Sequence, residues 1–352
     1  MRTRVIPIVD LKSQLHHVEE AAKLIRRGEV VAFPTETVYG LGANALDAKA
    51  VNKIFEAKGR PGDNPLIVHI NHISQWDGLV DSVPEKARIL AETFWPGPLT
   101  IILKKSSLVP EAVTAGLDTV GVRMPSHPTA LELISQSGVP IAAPSANRSG
   151  RPSPTTAKHV IEDMDGRIPM ILDGGNCNIG LESTVLSLAG DTPVILRPGG
   201  ITVEMLRHVI GQVNVHSNVM KPLHEGQKPL SPGMKYSHYA PKAPVTLIRG
   251  DYSKLIEFMN QEAGRLEGEG KRVGILATDQ TLLECNHGIR LSLGDREKPS
   301  ELAFHLFARL REFNHLDVDV ILAEGIDEKE EGLAVMNRMA RASGFNIIDL
   351  QI

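Results

Sequence analysis

Cysteine is nearly absent: Cys177 and Cys285 are the only two among 352 residues, far apart and outside any C-x-x-C pair. They read as reduced, half-buried thiols of a cytoplasmic protein and not as a disulfide framework. Neither an H-E-x-x-H string nor a Cys/His cluster occurs, so a metal held by protein side chains alone is not expected. The string G-x-x-x-x-G-K followed by Ser or Thr is also missing, which excludes a P-loop. "GLGANA", Gly40 to Ala45, does fit G-x-G-x-x-A, but "PTETVY" separates it from the preceding strand, whereas a dinucleotide fingerprint turns directly out of one. The start, "MRTRVIPIVDLKSQ", has no apolar run of signal-peptide length. No segment reaches the roughly 18 uncharged apolar residues of a membrane span, so no membrane is expected. Aromatic residues make up 4%, which leaves small aliphatics to fill the core.

Strong charge of one sign is lacking too. Lys and Arg against Asp and Glu number 20 to 21 in residues 1–200, 5 to 2 in 201–242 and 13 to 19 in the rest. Neither large part has the basic excess of a nucleic-acid domain, so any RNA contact would be weak and confined to a local patch.

What is present is alternation. Leu15, Val18, Ala22 and Ile25 have helical spacing, and "EVVAF" after them predicts a short buried strand. In "DAKAVNKIFEAKGRP" Asp47 can cap a helix that Gly59 and Pro61 stop. Strands and helices continue to alternate to about residue 212, predicting one mixed α/β domain over 1–212. A connector follows over 213–242. In 243–352 three apolar strands, "APVTLIRG", "KRVGILAT" and "VDVILAEG", are separated by helices, predicting a small parallel sheet of the doubly wound type.

Polar residues gather at the strand ends of the first domain. A period of two puts Thr119, Gly121 and Arg123 on one strand face, and the same arithmetic aligns Ala143, Ser145 and Asn147. Lys58 continues the apolar stripe of Val51, Ile54 and Phe55 at i+7, so it turns towards the core side at its helix end. Arg60 and Asn64 follow in the tight turn "KGRPGDNP", two cations and an amide placed as a polyphosphate would require. Thr35, Thr37, His69, Ser145 and Arg197 lie at further strand ends. Such ends converge on one crevice in an open α/β sheet, and the cations would attract an anion there.

The strings "FPTETVYGLG", "KGRPGDNPLIVHI", "FWPGPLTIIL", "VGVRMPSHP", "PIAAPSANRSGRPSPT", "ESTVL", "LRPGGI" and "SPGMKYSHYAPK" resemble, in this order, the threonylcarbamoyl-AMP synthase (YrdC-like) family in its two-domain form. The resemblance implies a YrdC-like twisted mixed sheet around a basic cavity, followed by a small Rossmann-like domain. It implies that L-threonine, bicarbonate and ATP, with Mg²⁺, give threonylcarbamoyl-AMP and pyrophosphate. A downstream threonylcarbamoyl transferase then acts on tRNA. Carried over by motif, Thr37, His69, Arg123 and the backbone at Ala143 hold threonine. Arg60, Asn64, Thr119, Ser145, Ser153, Arg197 and His238 hold ATP, and Lys58 and Asn147 join them from the same motifs, with Lys58 and Arg60 neutralising charge in the reaction. In "SPGMKYSHYAPK" the prolines stiffen a lid from which Lys235, Tyr236 and His238 hang over the cavity.

Two other readings compete. One is a non-catalytic protein that binds tRNA or double-stranded RNA, against which the neutral first domain weighs. The other is the carbamoyl transfer that related domains perform in hydrogenase maturation, a setting that brings cysteine-rich zinc modules which two lone cysteines do not provide.

Overall fold

Short apolar runs between amphipathic helices give two separate sheets in the computed structural model, which describes residues 2–223, 227–234 and 239–350. The chain divides into two compact units. The first is Met1–Ser149, Ser153–Val219 and Leu223–Lys235; the second is Gly150–Pro152, Met220–Pro222 and Tyr236–Ile352. Most of the connector thus belongs to the first unit.

The strands of the first unit are β1 (Arg4–Pro7), β2 (Val31–Phe33), β3 (Gly40–Asn44), β4 (Ile67–His69), β5 (Leu99–Lys104), β6 (Thr119–Arg123), β7 (Ile141–Ala142), β8 (Met170–Asp173), β9 (Thr184–Ser187), β10 (Val194–Arg197) and β11 (Asn214–Val215). They form one mixed sheet in the order β1-β8-β2-β3-β7-β4-β6-β5-β9-β10-β11. Helices Leu15–Arg26 and Pro128–Ser137 cover part of one face. There Val18, Ala22, Ile25, Leu133 and Ile134 pack on Val31, Phe33, Ile141 and Met170. Each large aliphatic so buried contributes about 1.5–3 kcal/mol.

"GLGANA" is β3, antiparallel to β2, and not the mouth of a nucleotide loop. Its Gly42 answers to packing, since a Cβ there would come within 2.7 Å of both Phe33 and Ile141. The helix Ala48–Lys58 begins where the Asp47 carboxylate accepts from the amides of Lys49 and Ala50, and it ends at Gly59, whose φ of 63° is left-handed. This register buries Lys58 together with Val51, Ile54 and Phe55.

In the second unit β12 (Val245–Arg249), β13 (Val273–Ala277), β14 (Ile289–Ser292), β15 (Val320–Glu324) and β16 (Ile347–Asp349) form a parallel sheet in the order β14-β13-β15-β12-β16. Two of these strands exceed the three read from sequence. Both β14 and β16 are short edge strands without a fully buried residue, so neither carries the apolar run that marks β12, β13 and β15. The helix Tyr252–Gly268 lays Leu255 and Met259 over Ile248, Val273, Ile275 and Leu322.

Candidate active site

Strand register builds a row of polar side chains across the first sheet. Parallel pairing of β4 with β6 sets His69 opposite Arg123. Antiparallel pairing of β6 with β5 matches Val122 to Ile101, which brings Thr100 beside Arg123. Thr100 in turn pairs with Val185 on β9, and Val185 with Arg197 on β10, across a register irregularity. Gly121, on the same face as Arg123, keeps the row open, because a Cβ there would stand 3.1 Å from the Thr100 methyl.

Arg123, buried at 3% exposure, is held on three sides. Its Nε donates to the Gly97 carbonyl at 3.2 Å, Nη1 donates to Thr37 Oγ1 at 3.0 Å, and Nη2 forms an ion pair with Glu36 Oε1 at 2.7 Å. Thr37 Oγ1 also lies 2.9 Å from Thr35 Oγ1, which itself donates to the Val38 carbonyl. Burial, aided by the Arg123 charge, pushes the His69 imidazole down to about 3, so the ring is neutral near pH 7. His69 Nδ1 has no hydrogen-bond partner among the described residues. The Ala143 amide donates to the Ile67 carbonyl, two residues before His69, so the backbone at Ala143 borders this same pocket.

Lys58 ties down the neighbouring loop. Its Nζ donates to the carbonyls of Ser145 at 2.5 Å and Asn147 at 2.7 Å, and the Ser149 amide donates to the Lys58 carbonyl. The expectation that Ala143, Ser145 and Asn147 share a strand face is corrected here. β7 ends at Ala142, and beyond it the chain turns, with the Asn147 amide reaching back to the Ser145 carbonyl at 3.0 Å. The lysine brings Ser145 and Asn147 together, not the pleat.

Arg60 lies against the Phe55 ring, its carbon 5.7 Å from the centroid, and donates to the Asn64 carbonyl at 3.1 Å. The Asn64 side chain is fully buried, and neither atom of its amide has a hydrogen-bond partner among the described residues. Further along the row, Arg197 donates from Nε to the Ser183 carbonyl and from Nη2 to Ser183 Oγ, which lies 2.8 Å from Thr100 Oγ1. Ser153 donates to Glu182 at 2.5 Å. Thr119 lines a narrow cleft with Leu117, Gly121, Leu230 and Pro232. The connector therefore reaches the sheet, and Met234 packs there on Ile67, Ile102, Val185 and Leu196. Lys235, Tyr236 and His238 lie outside the described residues.

Comparison with known proteins identifies what this geometry belongs to. A family model described as "Telomere recombination", for the Sua5, YciO and YrdC proteins, matches residues 23–199. One described as the threonylcarbamoyl-AMP synthase C-terminal domain matches residues 201–344. The threonylcarbamoyl-AMP synthase of Pyrococcus abyssi is 50% identical over 97% of this chain and 98% of its own length, and that of Bacillus subtilis 51% identical over 96% of each. The chain belongs to the threonylcarbamoyl-AMP synthase family. It is an enzyme of that family, since relatives matched over nearly the whole length are named as synthases and not as RNA-binding proteins. The crystal structure of P. abyssi Sua5 complexed with L-threonine superposes with a TM-score of 0.92 at 49% identity, covering 99% of this chain and all of that one.

Three residues that touch the candidate side chains escape the sequence reading. Ser183 and Glu182 lie in "ESTVL", where the apolar strand that follows draws attention away from the polar start. Glu36 stands between two threonines in a loop, where no strand or helix period says which way it points. Only the Arg123 ion pair gives it a direction.

Proposed function

We propose that this enzyme makes threonylcarbamoyl-AMP and pyrophosphate from L-threonine, bicarbonate and ATP in the cytoplasm, handing its product to a transferase that modifies tRNA. The observation that supports this most is the row His69, Arg123, Thr100, Arg197: two buried guanidinium groups on one sheet, on β6 and β10 with β5 and β9 between them, and a neutral imidazole and hydroxyls in the same row. In this reading Thr37, His69, Arg123 and the backbone at Ala143 take threonine, as the likeness to the threonine-bound P. abyssi protein suggests. Arg60, Asn64, Thr119, Ser145, Asn147, Ser153 and Arg197 take ATP, with His238 above it.

The chemistry asks for such a site. The threonine amine condenses with bicarbonate to a carbamate, losing water and a proton. A carbamate oxygen then attacks the α-phosphorus of ATP, and pyrophosphate leaves as the phosphorus–oxygen bond to it breaks. Both reacting partners are anions, so catalysis depends on fixed positive charge and alignment more than on a protein nucleophile. Lys58 supplies both, since its ammonium braces the carbonyls of the Ser145–Asn147 loop while carrying its charge to the cavity wall. Arg60 and Arg197 would face the phosphates. Among the described residues no group of three or more His, Cys, Asp or Glu could hold a metal, and Glu36 and Glu182 already serve Arg123 and Ser153. In this reading the Mg²⁺ expected with ATP is one that the phosphates carry.

The connector acts here as a lid. Leu230, Pro232 and Met234 anchor its base on the sheet face, and Lys235, Tyr236 and His238 would extend over the nucleotide and keep water from a labile mixed anhydride. Omitting one substrate at a time in a pyrophosphate-release assay tests the whole reading. Release should require ATP, divalent metal, bicarbonate and L-threonine together. Equal release without threonine would reduce the site to an ATPase.

A further inference from the structure

We infer that Glu36 is the counter-ion for the α-ammonium of L-threonine, a specificity-determining residue of the same pocket; this rests on the threonine reading above. Glu36 is 6% exposed and Arg123 3%, and they form an ion pair at 2.7 Å. The contact runs through Oε1, yet neither Oε1 nor Arg123 Nη2 has a hydrogen-bond partner among the described residues, so charge alone joins them. Oε2 is also buried and has no hydrogen-bond donor among the described residues. A buried carboxylate oxygen without a donor is costly, and native structures rarely keep one unless something else supplies the hydrogen.

The nature of that donor follows from the charges around it. Arg123 is Glu36's one basic partner among the described residues. The guanidinium already gives Nε to Gly97 and one Nη1 hydrogen to Thr37, so its second contact with Glu36 is not what the geometry offers. The other titratable groups whose charge is felt at this carboxylate do not compete for it. Burial pushes His127 towards its neutral form, and its Nδ1 is already taken by the Thr129 amide. Burial likewise holds the Cys177 thiol protonated. His69, on the far side of Arg123, is neutral. The pocket therefore holds one positive and one negative group side by side, together neutral.

A free α-amino acid is the matching ligand, because it too carries one charge of each sign on neighbouring atoms. Its carboxylate can take the outer hydrogens of Arg123 while its ammonium donates to Glu36 Oε2. Each protein charge then keeps an opposite neighbour. Without Glu36 the ammonium would lie against a guanidinium in a dry pocket, where like charges and an unpaired buried ion are both unfavourable.

The competing role is purely mechanical: Glu36 holds Arg123 in place and never touches the amine. Calorimetric titration with L-threonine and with its analogue bearing a hydroxyl in place of the amine separates the two, using the full-length wild type and Glu36→Gln, and ATP binding as a control on the fold. The wild type should prefer L-threonine. Glu36→Gln should lose roughly tenfold or more in threonine affinity, as expected for one charge-assisted contact, with much less change for the hydroxy acid. Equal weakening of both ligands, with ATP binding intact, would overturn the inference while leaving threonine as substrate. Glu36→Asp, which keeps the charge, guards against a Gln variant that does not fold, and should keep part of the preference. A folded Asp variant without any preference would overturn the inference as well. Failure of the threonine reading itself looks different: the wild type would then release pyrophosphate without threonine.

Discussion

Each unit buries a carboxylate beside an arginine, and the two are completed differently. In the second unit Glu324, fully buried at the end of β15, accepts from the Thr278 amide at 2.6 Å through Oε2 and pairs with Arg296 through Oε1. Arg296 in turn lies over the Tyr252 ring at 4.5 Å, and Thr278 Oγ1 donates to Thr281. Every polar atom of that carboxylate is used internally, although it stands at the carboxyl edge of a parallel sheet, between β13 and β15, where ligands of such folds commonly sit. In the first unit Glu36 Oε2, the Asn64 amide and His69 Nδ1 are all buried and all lack a hydrogen-bond partner among the described residues. Position in a fold and burial are thus weaker guides to a ligand site than unfinished hydrogen bonding. A closed network is architecture; an open one waits for a ligand.

The strongest way to break this comparison is to remove a cation from the open network. Arg197→Ala should slow turnover by ~10²-fold or more, in line with losing a charge-assisted phosphate contact in a dry site. Steady-state pyrophosphate release, with ATP and threonine varied separately, checks it, and the ATP requirement should rise more than the threonine requirement. Wild-type kinetics would remove Arg197 from the nucleotide site.

The complementary change attacks the closed network. Glu324→Ala strips the Thr278 amide of its acceptor and Arg296 of its partner, which should cost about 2 kcal/mol of stability. Turnover measured well below the melting temperature should stay within about twofold of wild type, because no ligand is assigned to that carboxylate. Calorimetric melting together with the pyrophosphate assay gives both numbers. A fall in turnover as deep as that of Arg197→Ala, without a change in melting, would mean that the second unit takes part in the chemistry.

How much of this was readable beforehand depended on periodicity. The inward turn of Lys58 follows from the i+7 spacing to Val51, and the shared face of Gly121 and Arg123 from the strand period, because both lie inside regular elements. The strand arithmetic broke at Ala143, where β7 had already ended, and could not locate Ser145 or Asn147. Short edge strands β14 and β16 escaped for want of an apolar run. The role of Gly42 was invisible, since its neighbours Phe33 and Ile141 come from distant parts of the chain. Glu36 and Ser183 were missed for the same reason: each lies outside a regular element and is defined by a partner farther along the chain, Arg123 for one and Arg197 for the other.

The smallest expected effect is also the sharpest test of the comparison, because its sign differs between stability and function. Asn64 is fully buried, and its side-chain amide has no hydrogen-bond partner among the described residues. In the ligand-free enzyme that amide already bears the cost of desolvation without return, so replacing it with an apolar group of similar volume removes a penalty and adds none. Asn64→Leu should therefore leave ligand-free stability within about 0.5 kcal/mol of wild type or raise it slightly, a change of the kind seen when a functional polar group is traded for packing. ATP affinity should fall at the same time if, as proposed, the missing partner is the nucleotide. Thermal melting with and without ATP measures both: the variant's melting temperature should match wild type alone and fall short of it when ATP is present. A variant that is destabilised without ligand as much as Glu324→Ala would show that Asn64 has an internal role after all, and that an unfinished hydrogen bond in this sheet does not mark a ligand.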